Sequence, residues 1–121
     1  MDREIKFRAW NGNIMEYSEY DDGSGSLYDF FADYGTDYDD RIYMQYTGLK
    51  DKRGQEIYEG DILDTQYRWL VVFRVGCFIA EQQVGRPKGS DPPLWRLINE
   101  RVKARDELEI IGNMYENPEL I

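Results

Sequence analysis

Between Gln45 and Leu63 the chain reads QYTGLKDKRGQEIYEGDIL, and from Ile110 to Leu120 it reads IIGNMYENPEL. In both stretches short runs of alternating apolar and polar residues are broken by glycine turns. A two-residue period suits a strand with one buried face and is wrong for an amphipathic helix. A compact β domain follows as the expectation. The two turns of the first stretch differ in construction. Asp51 to Gly54 reads as a type I turn closed by a bulge, with Asp51 initiating and Gly54 supplying a left-handed residue. Glu59-Gly60-Asp61 is sharper: Gly60 takes a backbone conformation barred to other residues, and Asp61 satisfies local amides at the start of the next strand.

The same reading extends along the chain. Ile5, Phe7 and Ala9 alternate with charged residues and form a first strand. Asn11-Gly12 favours a tight hairpin because both residues tolerate positive φ, and a short strand from Ile14 to Tyr17 completes it. Ile42 to Thr47 is aromatic and β-branched, hence a strand. Trp69 to Val75 and Cys77 to Gln83 flank Gly76, either as a tight hairpin or as one bulged strand. Gly85 to Pro93 is a loop. From Leu94 to Val102, the Trp95–Leu97–Asn99 alternation favours strand then loop over the helical spacing of Leu94, Leu97, Ile98 and Arg101. Glu109 to Tyr115 is the last strand, with Gly112 at a bulge or close approach. Asn117-Pro118-Glu119 has the capping residue, proline and acid of a helix start. Six or seven short strands at this spacing predict one mainly β domain over residues 1–121, a small bent or closed antiparallel barrel. A chain of 121 residues buries enough surface for a core without disulfides or metal.

Charge is unevenly placed. Of twenty-four acidic residues nine lie between Glu16 and Asp40, where there is no Lys or Arg; the rest of the chain holds fifteen acids against fifteen bases. The whole net charge of −9 therefore sits in one segment. That argues against nucleic-acid binding, which needs a positive footprint. The segment is also rich in tyrosine. DDGSGS is flexible by composition; if the segment is a peripheral partner surface, deleting Asp21 to Tyr34 should leave a cooperatively folding barrel, because closure entropy changes slowly with loop length. Leu27, Phe30 and Phe31, at i, i+3 and i+4, allow a short helix over LYDFFADY, with Ser26 as N-cap and Gly35 beyond its end.

The absence of histidine excludes Ser-His and Cys-His catalysis and ordinary zinc sites. The single cysteine, Cys77, lies in the apolar run VFRVGCFIA and reads as a small buried hydrophobe in a reducing cytoplasm. MDREIKFRAW carries charges where a secretory leader needs an apolar run. No stretch reaches the ~20 apolar residues of a membrane span. A soluble cytoplasmic protein is the expectation.

REIKFRAW at 3–10, MQYTGLKDKRGQEIYEGDIL at 44–63, the V-x-F-x-x-G-x-F run from Val71 to Phe78 and IIGNMYENPEL at 110–120 together resemble the YopX family of phage and prophage proteins. The resemblance implies an SH3-like barrel from a phage or bacterial cytoplasm. It supplies no activity, cofactor or catalytic residue. Segments 18–40 and 84–108 carry no family pattern.

Three candidate sites compete. The cationic TGLKDKRG stretch lacks the ending and strand-to-helix context of a phosphate loop, so it reads as an exposed, charged hairpin tip. Glu59 and Asp61 beside Tyr58 form a carboxylate pair of the kind a hydrolase uses, but the turn explains them. The acidic segment is the candidate partner surface: Tyr20, Asp21, Asp22, Tyr28, Asp29, Tyr34, Asp37, Tyr38, Asp39 and Asp40. Tyrosine supplies rigid amphipathic contact area, and carboxylates select a basic partner. Calcium at Asp37, Asp39 and Asp40 is disfavoured because the D-x-D-x-D-G spacing is absent. The reading is a non-enzymatic protein-binding module, with self-association as one form of partner. It predicts no catalytic residue, cofactor, metal, nucleic acid or membrane. Gly54, Gly60, Asp61, Gly76 and Gly112 are structural turn residues. The alternatives are an acidic mimic of DNA that occupies a host nucleic-acid-binding protein, and a carboxylate-based hydrolase.

Overall fold

The computed structural model describes residues 4–19, 25–32, 40–65, 67–83, 91–100 and 108–121. Eight strands dominate: β1 (Phe7–Trp10), β2 (Met15–Tyr17), β3 (Ile42–Lys50), β4 (Glu56–Tyr58), β5 (Asp61–Asp64), β6 (Arg68–Arg74), β7 (Cys77–Gln82) and β8 (Glu109–Asn113). Two short helices, α1 (Leu27–Ala32) and α2 (Leu94–Glu100), and a 3-10 turn at Pro118–Leu120 complete them. The strands form two four-stranded antiparallel sheets, in the orders β2-β1-β3-β4 and β7-β6-β5-β8, one of them curled into a half-barrel. The expected mainly β, bent antiparallel architecture is present. The chain divides into two compact units, Met1–Tyr46 and Thr47–Ile121, with the boundary inside β3. No helix among the described residues is long and apolar enough to cross a membrane.

In the first unit β1 is flanked by β2 and β3, with Ala9 opposite Glu16 and Tyr43. Ser18 extends the β1–β2 ladder: its amide donates to the Phe7 carbonyl and its hydroxyl accepts from the Phe7 amide, 2.9 and 3.0 Å. The Asn11-Gly12 turn differs from expectation. Gly12 has positive φ, but Asn11 does not. Asn11 instead acts through its side chain, whose Oδ1 accepts from the amides of Asn13 and Ile14. A polar side chain that closes the turn itself removes the need for a second left-handed residue. Helix α1 forms where Leu27, Phe30 and Phe31 fall on one side, and the Ser26 carbonyl takes its first amide, from Phe30. Phe31 meets Phe7 and Tyr43 at 5.2 and 5.3 Å between ring centroids, and Phe30 is buried.

The second unit is built around Ile57, Leu63, Trp69, Val71, Ala80, Leu94, Leu97 and Leu108. β6 and β7 pair in an unbroken register from Trp69↔Gln82 to Arg74↔Cys77, so Gly76 belongs to a tight two-residue hairpin. Residues 94–100 are helix, not strand then loop. Leu94 and Leu97 are buried on one face, and the Arg96 and Leu97 amides bond the Pro93 carbonyl. A helical face that buries Leu94 and Leu97 outweighs the half-buried alternation the sequence also allows. β8 carries the expected bulge: Ile62 faces Gly112 while Leu63 faces Ile110. The Asn117 side chain stands 2.5 Å from where a Cβ on Gly112 would lie, so the close approach is present as well. Asn117 does not cap the terminal turn. Its Oδ1 is already engaged by the Asn113 amide, 3.2 Å away.

Gly54, Gly60 and Gly76 all have positive φ, as their turn roles require. Gly60 is the most constrained. At φ 91° it is buried, its amide donates to Val71 and its carbonyl accepts from Met114. Gly60→Val is expected to cost roughly 1–3 kcal/mol in urea unfolding, because a β-branched residue is strained there. A change under about half a kcal/mol would mark the turn as ordinary.

Candidate interaction surfaces

The polar residues of the two long motifs are occupied in holding backbone. Asp51 Oδ1 accepts from the amides of Arg53 and Gln55, both at 2.9 Å, and Oδ2 accepts from Ile110 at 3.0 Å. The side chain is nearly buried. It therefore closes its own turn and ties that turn to β8. Lys52 and Arg53 both reach Glu109 Oε2, at 3.2 and 3.3 Å, and the Lys52 amide bonds the Leu108 carbonyl. The tip is exposed and charged, as expected from its sequence, with residues 52–55 all exposed. It is docked on the start of β8, and Glu109 offsets its charge.

Asp61 is similarly committed. It is buried, and its Oδ2 accepts from the Tyr58 amide at 2.8 Å. Asn113 Oδ1 accepts from Tyr115 and Glu116, and its Nδ2 donates to Glu116. These are the bonds of turn-forming residues, in which a short polar side chain replaces a missing backbone partner. The expected structural role of Asp61 matches this geometry. Among the described residues no group of three acidic or cysteine side chains is placed to hold a metal ion.

Of the predicted partner surface, Asp40 is described and exposed. Tyr28 and Asp29 lie on α1. Tyr20, Asp21, Asp22, Tyr34, Asp37, Tyr38 and Asp39 lie outside the described residues. The start of the acidic run is neutralised by ion pairs. Glu16 Oε1 accepts from Arg41 Nε at 3.1 Å, and Glu19 pairs with Lys6 at 3.2 Å. Lys6 also pairs with Glu4 and lies over the Tyr46 ring, 5.6 Å from its centroid. So the segment is tied to its sheet twice, by ion pairs at the near end and by the aromatic pair of α1.

A second surface escaped the sequence reading. At the tip of the β6–β7 hairpin Val75 and Gly76 have φ of 51° and 76°. Val75 is the one non-glycine residue among those described with positive φ, and it is 100% exposed. Two successive left-handed residues are what a two-residue hairpin of right-handed twist demands, and asparagine or glycine is the usual first choice. A β-branched residue pays for this conformation in strain. Beside it Phe73 is 50% exposed and stacks edge-on with Phe78 at 5.1 Å. Arg74 flanks the tip and pairs with Glu81. Cys77, expected to be buried, is half-buried opposite Arg74 at the first pair of the hairpin, where fewer strands cover it. The signal was present in the V-x-F-x-x-G-x-F run: Val-Gly stands where Asn-Gly would make the same turn without strain.

The family model for the YopX protein matches residues 6–121, through both units. This chain belongs to the YopX family. Its fold is similar to the crystal structure of protein EF1440 from Enterococcus faecalis, with a TM-score of 0.62 and 28% identity over 98% of this chain and 99% of that one. No curated protein matches it. The Asp51, Gly60, Asp61 and Asn113 interactions lie in the same segments that carried the YopX resemblance. The distinctive motifs of this YopX-family chain are thus, in physical terms, devices for turns and for seating β8.

Proposed function

We propose that this YopX-family chain is a non-enzymatic protein-binding module of phage or prophage origin, acting in the bacterial cytoplasm. The observation that carries the reading is Val75. A fully exposed β-branched side chain is kept in a left-handed backbone conformation, with an exposed aromatic at its side. Strain of this kind, of order 1–3 kcal/mol, persists where the strained residue is needed for contact. An apolar knob of Val75 and Phe73 suits an apolar pocket in a partner, and small clusters of such anchors dominate binding energy. The acidic, tyrosine-rich segment supplies the second element of the reading, selection of a basic partner through complementary charge. Of the Glu59 and Asp61 pair that a hydrolase would need, Asp61 is buried and holds the Tyr58 amide through Oδ2, which favours this reading over the hydrolase.

Val75→Asn separates stability from binding. Asparagine accepts the left-handed conformation, so the variant is expected to gain about 1 kcal/mol in urea unfolding. The same variant should lose the partner that tagged wild-type protein retains from bacterial lysate, or lose self-association in sedimentation equilibrium if the partner is a second copy. Equal retention by Val75→Asn, or a stability loss on substitution, would overturn the reading. Displacement of the retained protein by duplex DNA would favour the DNA mimic instead.

A further inference from the structure

We propose that Asn11 is a self-modifying site, at which the folded β1–β2 hairpin converts its own asparagine to aspartyl and isoaspartyl products. The reaction is intramolecular. The Gly12 amide nitrogen attacks Asn11 Cγ, an N–Cγ bond forms, the Cγ–Nδ2 bond breaks, and ammonia leaves with the proton that Gly12 gives up. The resulting five-membered imide is opened by water at either carbonyl. Water is the one co-reactant.

Four observations converge on this residue. Asn11 and Gly12 are both exposed. The attacking nitrogen belongs to a glycine, which carries no side chain to shield it. Asn11 Oδ1 accepts from the amides of Asn13 at 2.8 Å and Ile14 at 3.0 Å. Those bonds place two fixed donors on the oxygen that becomes negative when Cγ turns tetrahedral, which is how an oxyanion is stabilised in acyl transfer. The other asparagines lack the combination. Asn13 precedes β-branched Ile14, Asn99 precedes Glu100, and Asn117 precedes Pro118, which has no amide hydrogen. Asn113 is buried, with its side chain engaged at three points.

Conversion has a structural consequence. Asn11 Nδ2 donates to Glu16 Oε1 at 3.1 Å, and the same oxygen accepts from Arg41. After conversion a carboxylate confronts Glu16 in place of a donor, or the main chain gains a methylene inside the turn. Either change loosens the edge strand β2 and adds one negative charge beside the acidic segment.

The test incubates the full folded chain at mildly alkaline pH and maps peptides by mass spectrometry, with isoaspartate labelling. A parallel sample is held in urea. Conversion at Asn11 should exceed that at Asn13 and Asn99 by about tenfold or more, and should be no slower in the folded chain than in urea. Conversion at Asn11 within about tenfold of those sites, or slowed by folding, would overturn the proposal.

Discussion

Asp51→Ala is expected to destabilise the second unit by about 3–5 kcal/mol, a large fraction of the ~5–15 kcal/mol that holds a domain of this size. The carboxylate accepts three backbone amides, two inside the turn and one from Ile110. Hydrogen bonds to a charged group contribute about 1.5–3 kcal/mol each, and they do not add fully because all three share one side chain. Alanine leaves the Ile110 amide at the start of β8 without its acceptor. Asp51→Asn sharpens the test. It retains Oδ1 for Arg53 and Gln55, but it sets an NH2 donor against the Ile110 N–H. An intermediate loss is expected, with faster amide exchange in β8 and little change in the turn. A loss below about 1 kcal/mol for alanine would show that the backbone bonds Asp51 to Gln55, Gly54 to Asp51 and Lys52 to Leu108 hold the turn by themselves.

Phe30→Ala is expected to cost about 3 kcal/mol in urea unfolding and to speed amide exchange in β1 and β3. The ring is 8% exposed and packs edge-on against Phe31 and Tyr43 at 5.3 and 6.1 Å. Removing it opens a cavity beneath a helix of six residues, which is too short to persist without its packing. The same argument reverses the expectation that Asp21 to Tyr34 can be deleted freely. Closure entropy changes slowly with loop length, but this deletion also strips Phe30 and Phe31 from Phe7 and Tyr43. Loss of a cooperative transition in the first unit is the expected result. An unchanged melt of Phe30→Ala would mean that α1 is peripheral after all.

The strands and turns were legible where a residue type has one dominant use. Gly54, Gly60 and Gly76 were placed correctly because a left-handed residue in a tight turn leaves little choice. Alternation in β1, β3, β6 and β8 was legible because a strand with one buried face imposes a period of two. The helix at 94–100 was not, since Leu94, Leu97 and Ile98 satisfy one period while Trp95, Leu97 and Asn99 satisfy the other. Only burial of Leu94 and Leu97 in the second core decides between them.

The candidate surfaces divide in the same way. Composition by itself located the acidic, tyrosine-rich segment and assigned it the whole net charge. It did not reveal that Glu16 and Glu19 are answered by Arg41 and Lys6, because those cations are distant in sequence and meet the acids only once β1, β2 and β3 pair. The three amides that converge on Asp51 were likewise only partly readable. Its bonds to Arg53 and Gln55 are local and follow from the turn motif. The bond to Ile110 spans 59 residues and exists only because the tertiary fold brings β8 to the hairpin. Local sequence thus determined the β architecture, its turns and the family, through steric rules that act over a few residues. The tertiary structure alone decided which charges are neutralised, which aromatics are buried, and that Val75 stands exposed at a strained tip, because each of these depends on partners that only long-range pairing supplies.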